Sequence, residues 1–460
     1  MSAENSWLLQ GGTLVTLCPE QPVVAADLLV RAGKIAALGN FSADDPRVKG
    51  VPIRDVSGCI VMPGLVQAHI HLCQTLARGL ADDLPLLRWL NERVLPYEAA
   101  LSEKDLVLAT QVGVAELLLS GTTSFLDMGT VRHHDALCET VFMTGIRASV
   151  GQALMDHPDT VSANLRKDTQ TSLGEADAVC RRWHGKGRLR YAYAPRFLVS
   201  CTDELMRGVA ERVGHDKTLG LRIHTHASEQ LDEVELIRKR TGQCNVMALR
   251  SLAICGRHTV LAHCVHVTEQ EMAALRDDGT HVAHCPSSNL KLGSGIAQVS
   301  KWLTSGLNVA IGADGAPCNN RLDGFSELRL CALLQKGLHG SEAVPAWQAL
   351  HLATMGGASA LGLSDEIGSL AIGKQADVIV LSRDRPGLLP LHDPVSTLVY
   401  ANAGADVRDV FVGGEMLVSN RRLTARTGLD EQALSAACAA RMPEILGSVG
   451  NGGIARFSPT

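Results

Sequence analysis

His69 and His71 stand two residues apart in VQAHIHL, and His224 and His226 repeat that spacing in RIHTHA. In an extended strand, side chains two apart share a face, so each pair can aim at one point. His263 closes the apolar run TVLAH, and Asp314 follows the run NVAIGA. Three imidazoles with a carboxylate suit Zn²⁺ or Fe²⁺, whereas Mg²⁺ and Ca²⁺ take mainly oxygen. His69, His71, His226 and Asp314 are therefore read as ligands of one divalent metal, zinc first and iron second, with His263 beside the water it would hold. One H-x-H says little in a chain with 17 histidines. The weight lies in the recurrence of such residues at the ends of four apolar runs.

Side chains so distant in sequence need a scaffold that gathers strand ends. Eight apolar runs, among them CIVMPGLVQAHI, TTSFLDM, LRYAYAPRF and LNVAIGADG, alternate with helical patterns, and residues 63–369 are read as the domain they build. One of these, EKDLVLATQVGVAELLLSG, stops at Gly121 as a glycine-capped helix does. Eight strands separated by helices over about 300 residues predict an α/β fold, a (β/α)8 TIM barrel whose active site forms at the C-terminal ends of its strands. A doubly wound sheet would carry a Gly-rich phosphate turn after its first strand, and none is present. Residues 1–62 and 370–425 read as short strands between Gly and Asp turns, including VRDVFVGGEMLVS with its tight VGGE turn. These two ends predict one small β-sandwich domain into which the barrel is inserted. Residues 426–460 predict a helix, EQALSAACAARMPEILG, and a Gly-rich mobile tail.

The composition is that of an ordinary globular chain, with 46% hydrophobic and 20% charged residues and a net charge of -5. No block of like charges occurs, so neither nucleic acid nor an acidic membrane surface is expected as a partner. The start of the chain lacks a basic n-region, and no apolar stretch approaches the length of a membrane span, so a cytoplasmic protein is expected. Thirteen scattered cysteines without a C-x-x-C fit reduced, mostly buried thiols. That absence also removes zinc ribbons and the P-C-x-x-C site of cytidine deaminases.

The segments MPGLVQAHIHL, HTHASE, LAHCVHV, HCPSSNLKLGSGIAQV, GADGAPCNN and IGSLAIGKQADVIVL together resemble the amidohydrolase superfamily, in its branch of deaminases and chlorohydrolases acting on aminated nitrogen heterocycles. The resemblance puts the first-strand H-x-H on His69 and His71, an H-x-x-E on His226 and Glu229, the sixth-strand histidine on His263 and the eighth-strand aspartate on Asp314. No lysine ends the LRYAYAPRF or IRASVG runs to bridge a second ion, which favours one metal. In this pattern Asp314 accepts the proton of water, His263 orients the nucleophile, and Glu229 protonates the ring nitrogen and then the leaving amine.

Substrate contacts are expected from four residues. Glu98 matches a glutamate that takes ribose hydroxyls in deaminases of adenosine derivatives. Gln74 and Arg196 resemble the pair that holds the purine in guanine deaminases. Asn289, with Cys318 and Asn319, is expected on loops facing the pocket, where packing or turn roles are equally open. The resemblance implies an aminohydrolase of a 6-aminopurine nucleoside-like compound: 5'-deoxyadenosine, methylthioadenosine, S-adenosylhomocysteine or adenosine. Guanine deamination and chloride or amine displacement from a triazine are the alternatives, and a non-catalytic binding barrel is the reading from another class. A homo-oligomer, a dimer, is expected.

Overall fold

A computed structural model describes residues 5–215 and 217–449. Eight parallel strands form a ring: Leu65–His71, Thr122–Met128, Arg147–Gly151, Leu189–Pro195, Arg222–Ala227, Thr259–His263, His281–His284 and Val309–Ile311. Pairing of the fourth with the fifth and of the eighth with the first closes it. Every residue of the first two strands is buried. Strands covered on both faces need continuous rather than alternating apolar runs, and this is the texture the sequence carries. The protein is thus a (β/α)8 barrel with a small β-sandwich built from the two ends of the chain.

Two of the apolar runs divide where glycine permits it. CIVMPGLVQAHI is not one strand: Ile60–Pro63 pairs with Val378–Leu381 in the terminal domain, and Leu65–His71 opens the barrel. Between them, a Cβ on Gly64 would fall 2.1 Å from the Thr123 side chain. LNVAIGADG likewise stops at Ile311, and a Cβ on Gly312 would meet the His69 carbonyl oxygen at 2.6 Å. After that close passage, Asp314 and Gly315 pair with Ile70 and His71, which brings the aspartate beside the first-strand histidines.

The terminal sheet has nine strands, drawn from Trp7–Pro63 and Val378–Leu423. Its core gathers Leu9, Leu14, Leu28, Val61, Val378 and Phe411. Gly413 and Gly414, both at positive φ, make the predicted tight turn between Val407–Val412 and Glu415–Ser419. The helix Glu103–Leu119 begins with a capping box of Ser102 and Asp105 and ends two residues before Gly121, which stands at φ +88°. The C-terminal helix spans Glu431–Val449, and Arg441 on it pairs with Asp105 at 2.5 Å. The predicted Gly-rich tail lies outside the described residues. No helix among the described residues is long and apolar enough to cross a membrane.

Candidate active site

At the C-terminal mouth of the barrel, three histidines are fixed from behind through Nδ1. That of His71 donates to the Met128 carbonyl (2.7 Å), that of His226 to the Arg196 carbonyl (2.8 Å), and that of His69 lies 2.7 Å from His224 Nε2. Pinning Nδ1 leaves each Nε2 facing inward with its lone pair free. His71 Nε2 and His226 Nε2 are 3.3 Å apart, and His69 Nε2 is buried without a hydrogen-bond partner. Asp314 Oδ1 stands 3.3 Å from His69 Nε2 and 3.5 Å from His71 Nε2.

Burial, reinforced by the neighbouring imidazoles, holds His71 and His226 well below the usual histidine range. Burial alone would raise the Asp314 carboxyl, but His69, His263 and His71 around it hold it well below the ordinary value. Neutral imidazole lone pairs and an ionised carboxylate converging in a dry site repel one another unless a cation lies between them. One donor atom each from His69, His71 and Asp314, and from His69, His226 and His263, falls within 4.8 Å. The donor set and its convergence fit a divalent metal ion.

The strand ends that present these groups are strained. Ser228, His263, Cys264 and Asp314 all have φ between 51° and 73°, a region that non-glycine residues avoid at a cost of about 1–3 kcal/mol each. Local bonds hold them there: the Cys264 N–H donates to the Ala227 carbonyl and the His266 N–H to the Ser228 carbonyl. Buried Glu233 accepts the backbone N–H groups of Ser228 (3.2 Å) and Glu229 (2.7 Å), which fixes the turn carrying Glu229.

Glu229 is 3% exposed, and burial, with Asp314 and Glu233 nearby, raises its carboxyl well above the usual range. Its Oε2 lies 3.5 Å from His263 Nε2. His263 Nδ1 donates to Asn289 Oδ1 at 2.8 Å, and the Ser288 hydroxyl donates to Asp314 Oδ2 at 2.6 Å. Beside this cluster is a small cavity. Its lining is polar where His71, His226, His263, Asp314, Glu229 and Arg196 contribute, and apolar where Phe197 and the group Leu86, Trp89, Leu90 and Leu292, here termed the roof, contribute.

The residues expected to hold substrate divide between the cavity and the layer behind it. Arg196 lines the cavity. Glu98 stands behind it, accepting from Arg196 Nη1 at 3.2 and 3.3 Å and from Gln74 Nε2 at 2.8 Å. Gln74 and Glu98 are not among the cavity-lining residues, nor is Asn289, which backs His263. Asn289 lies in the helix Pro286–Lys291, and Cys318 and Asn319 in the short helix Ala316–Asn319, not on loops as expected; the Cys318 thiol donates to the Gly315 carbonyl, and Asn319 Nδ2 to Ala313 O and Glu327 Oε1.

Several contributors escaped the sequence reading of roles. His224 was visible as a strand-end histidine without a task. Ser288 sits next to Asn289. Gln230 follows Glu229 and bridges the roof: its Oε1 accepts the Leu86 N–H at 3.1 Å and its Nε2 donates to the Leu292 carbonyl at 3.0 Å. Trp89 lies in the stretch LPLLRWLNERVLPYEA with no signal beyond its apolar character.

Barrel, strand-end imidazoles and eighth-strand carboxylate together define a class of metal-dependent hydrolases. The chain belongs to the amidohydrolase family, which it matches over residues 60–417. Within that family it is similar to a 5-methylthioadenosine/S-adenosylhomocysteine deaminase of Moorella thermoacetica, 42% identical over 79% of this chain and 83% of that protein. It is also similar to a 5'-deoxyadenosine deaminase of Methanosarcina acetivorans, 36% identical over 90% of this chain and 93% of that one. Among solved structures, an adenosine deaminase from Xanthomonas campestris with bound zinc superimposes with a TM-score of 0.88 at 32% identity, covering 96% of this chain and 98% of that one.

Proposed function

We propose that the protein is a metal-dependent aminohydrolase that deaminates a 6-aminopurine nucleoside-like compound, of the class of 5'-deoxyadenosine, methylthioadenosine, S-adenosylhomocysteine or adenosine, and releases ammonia. The observation that carries this reading is Glu229, a buried carboxyl with a raised pKa beside a cluster of inward-facing imidazole nitrogens. The names of the relatives support the substrate class. Zinc is the proposed metal, because the donor set is rich in imidazole and the solved relative holds zinc.

His69, His71, His226 and Asp314 would hold a divalent ion, which when bound would activate water as the nucleophile at neutral pH. The ionised Asp314 carboxylate, tethered by Ser288, can take the water's proton. His263, tethered by Asn289, aims Nε2 between Glu229 and Asp314, at 3.5 and 3.8 Å, where it steadies charge developing on the nucleophile. Glu229 gives its proton to the ring nitrogen beside the attacked carbon, so that the ring can accept electrons. The proton taken from water then passes to the amine, and as the C–N bond of the tetrahedral intermediate breaks and ammonia leaves, the added hydroxyl becomes the carbonyl and returns its proton to Glu229.

Guanine deamination is the second reading, favoured by one observation: Arg196, a side chain with donors only, lines the cavity. Ammonia release from a panel of purines, nucleosides, pterins and triazines tests both. The highest kcat/KM is expected with an adenosine-type nucleoside. Preference for guanine over every nucleoside would overturn the substrate and leave the acid-base assignments standing.

A further inference from the structure

Among the apolar residues that line the cavity, Leu86, Trp89, Leu90, Phe197 and Leu292, Trp89 is the one whose side chain carries a hydrogen-bond donor. It is 4% exposed. The indole N–H of Trp89 is buried and has no hydrogen-bond partner within the protein. An indole nitrogen is a donor only, and leaving it unpaired in a dry site is costly. Other indoles of this chain are provided for: Trp7 donates to the Gly414 carbonyl at 2.9 Å and Trp183 to Asp135 Oδ1 at 2.8 Å.

The unpaired donor is held firmly. The Trp89 backbone N–H donates to the Pro85 carbonyl at 2.8 Å, and Gln230 pins the start of the same helical turn through the Leu86 N–H. Gln230 also reaches the Leu292 carbonyl, so both halves of the roof hang from the residue next to Glu229. A donor kept unpaired by a rigid, specifically tethered element is the arrangement of a ligand contact.

The geometry points to Trp89 as a specificity-determining residue, whose indole N–H donates to a ring-nitrogen lone pair of the heterocycle being deaminated. The inference rests on the nucleoside-deaminase reading. A ring nitrogen fits better than a sugar hydroxyl. Apart from its histidines and carboxyls, the lining offers only the donors of Arg196 and Trp89 set among carbon, so a hydroxyl there would leave its own hydrogen unpaired, whereas a ring nitrogen brings a lone pair alone. With one purine nitrogen assigned to the Glu229 proton, the acceptors that remain on the ring are N3 and N7.

Trp89→Phe keeps the aromatic bulk and removes the N–H. On the metal-loaded enzyme, kcat/KM would be measured for adenosine and its 3-deaza and 7-deaza analogues, with wild type and variant. The variant should lose about tenfold on adenosine and be indistinguishable from wild type on the one analogue that lacks the partner nitrogen. An equal loss on all three substrates, or no loss on any, overturns the inference. Should Trp89→Phe fail to fold, the indole N–H resonances of wild type serve instead, with a saturating product nucleoside as the probe. One of the five should move downfield on binding; five unmoved resonances overturn the inference. A wild type that turns over no purine nucleoside overturns the proposed function and this inference with it. An active wild type indifferent to Trp89 overturns this inference alone.

Discussion

Where the barrel meets the terminal domain, Arg147 faces Asp377 through two bonds of 2.8 and 3.0 Å, and the Gly413 N–H completes the carboxylate at 2.7 Å. At the barrel mouth, His69 Nε2 has no hydrogen-bond partner, two imidazole nitrogens point at each other across 3.3 Å, and a carboxyl is driven toward its neutral form. Both regions are buried and both use charged residue types. At the seam each group ends on a partner from the same chain, so the charges close on themselves. At the mouth the groups converge on one another without pairing, as donors to a shared cation do. Unresolved electrostatics held rigid by strained backbone therefore mark function, whereas resolved electrostatics mark assembly.

The sharpest way to break this contrast is at the metal cluster. His69→Ala together with His226→Ala removes two of three converging imidazoles and should drop metal content below about a tenth of one ion per chain, with deamination lost. Elemental analysis of the purified protein checks it. Full metal content in the double variant, or two ions per wild-type chain, would sink the mononuclear assignment.

Glu229→Gln comes next. It should leave metal content unchanged and lower kcat by about 10² to 10⁴, the usual worth of a general acid-base group. Its Tm should hold or rise, because an amide cannot ionise where burial opposes charge. The seam should answer in the opposite sense. Arg147→Ala strands the Asp377 carboxylate and should cost about 3–5 kcal/mol in denaturant unfolding, with kcat/KM per folded molecule unchanged within about twofold. A variant at the mouth that destabilises while one at the seam silences activity would invert the comparison.

How far the sequence could be read follows the same division. His69 and His71 were legible because strand spacing alone puts them on one face, and Asp314 because it ends the eighth apolar run. The barrel itself was legible from continuous apolar runs between helical patterns. The break at Gly64 was not, because it depends on Thr123 lying 2.1 Å from where a Cβ would stand, a contact made only after folding. The layer behind the cavity was obscure for the same reason. Gln74, Glu98 and Asn289 have side chains suited to touching substrate, and nothing in one dimension shows which partners they take within the chain. Asn289 stands behind His263, and Glu98 behind Arg196. Gln230 and Trp89 were hidden because their importance lies in which backbone atoms come near them, or fail to.

The smallest expected effect concerns the one place where the mouth is built like the seam. Arg196 and Glu98 are a closed, buried pair, with exposures of 3% and 0% for their side chains, and Gln74 completes the carboxylate. Only the guanidinium side of this pair lines the cavity. If Glu98 serves mainly to hold and orient Arg196, then Glu98→Gln should weaken every purine alike, free base and nucleoside, by about tenfold in kcat/KM. A carboxylate that gripped ribose hydroxyls would behave otherwise: the variant would lose nucleosides and spare the free base. Because both Glu98 oxygens already accept hydrogen bonds from Arg196, the equal loss is the expected outcome. Side-by-side kinetics on adenine and adenosine decide between them, and a loss confined to adenosine would move Glu98 from the supporting layer to the ligand itself.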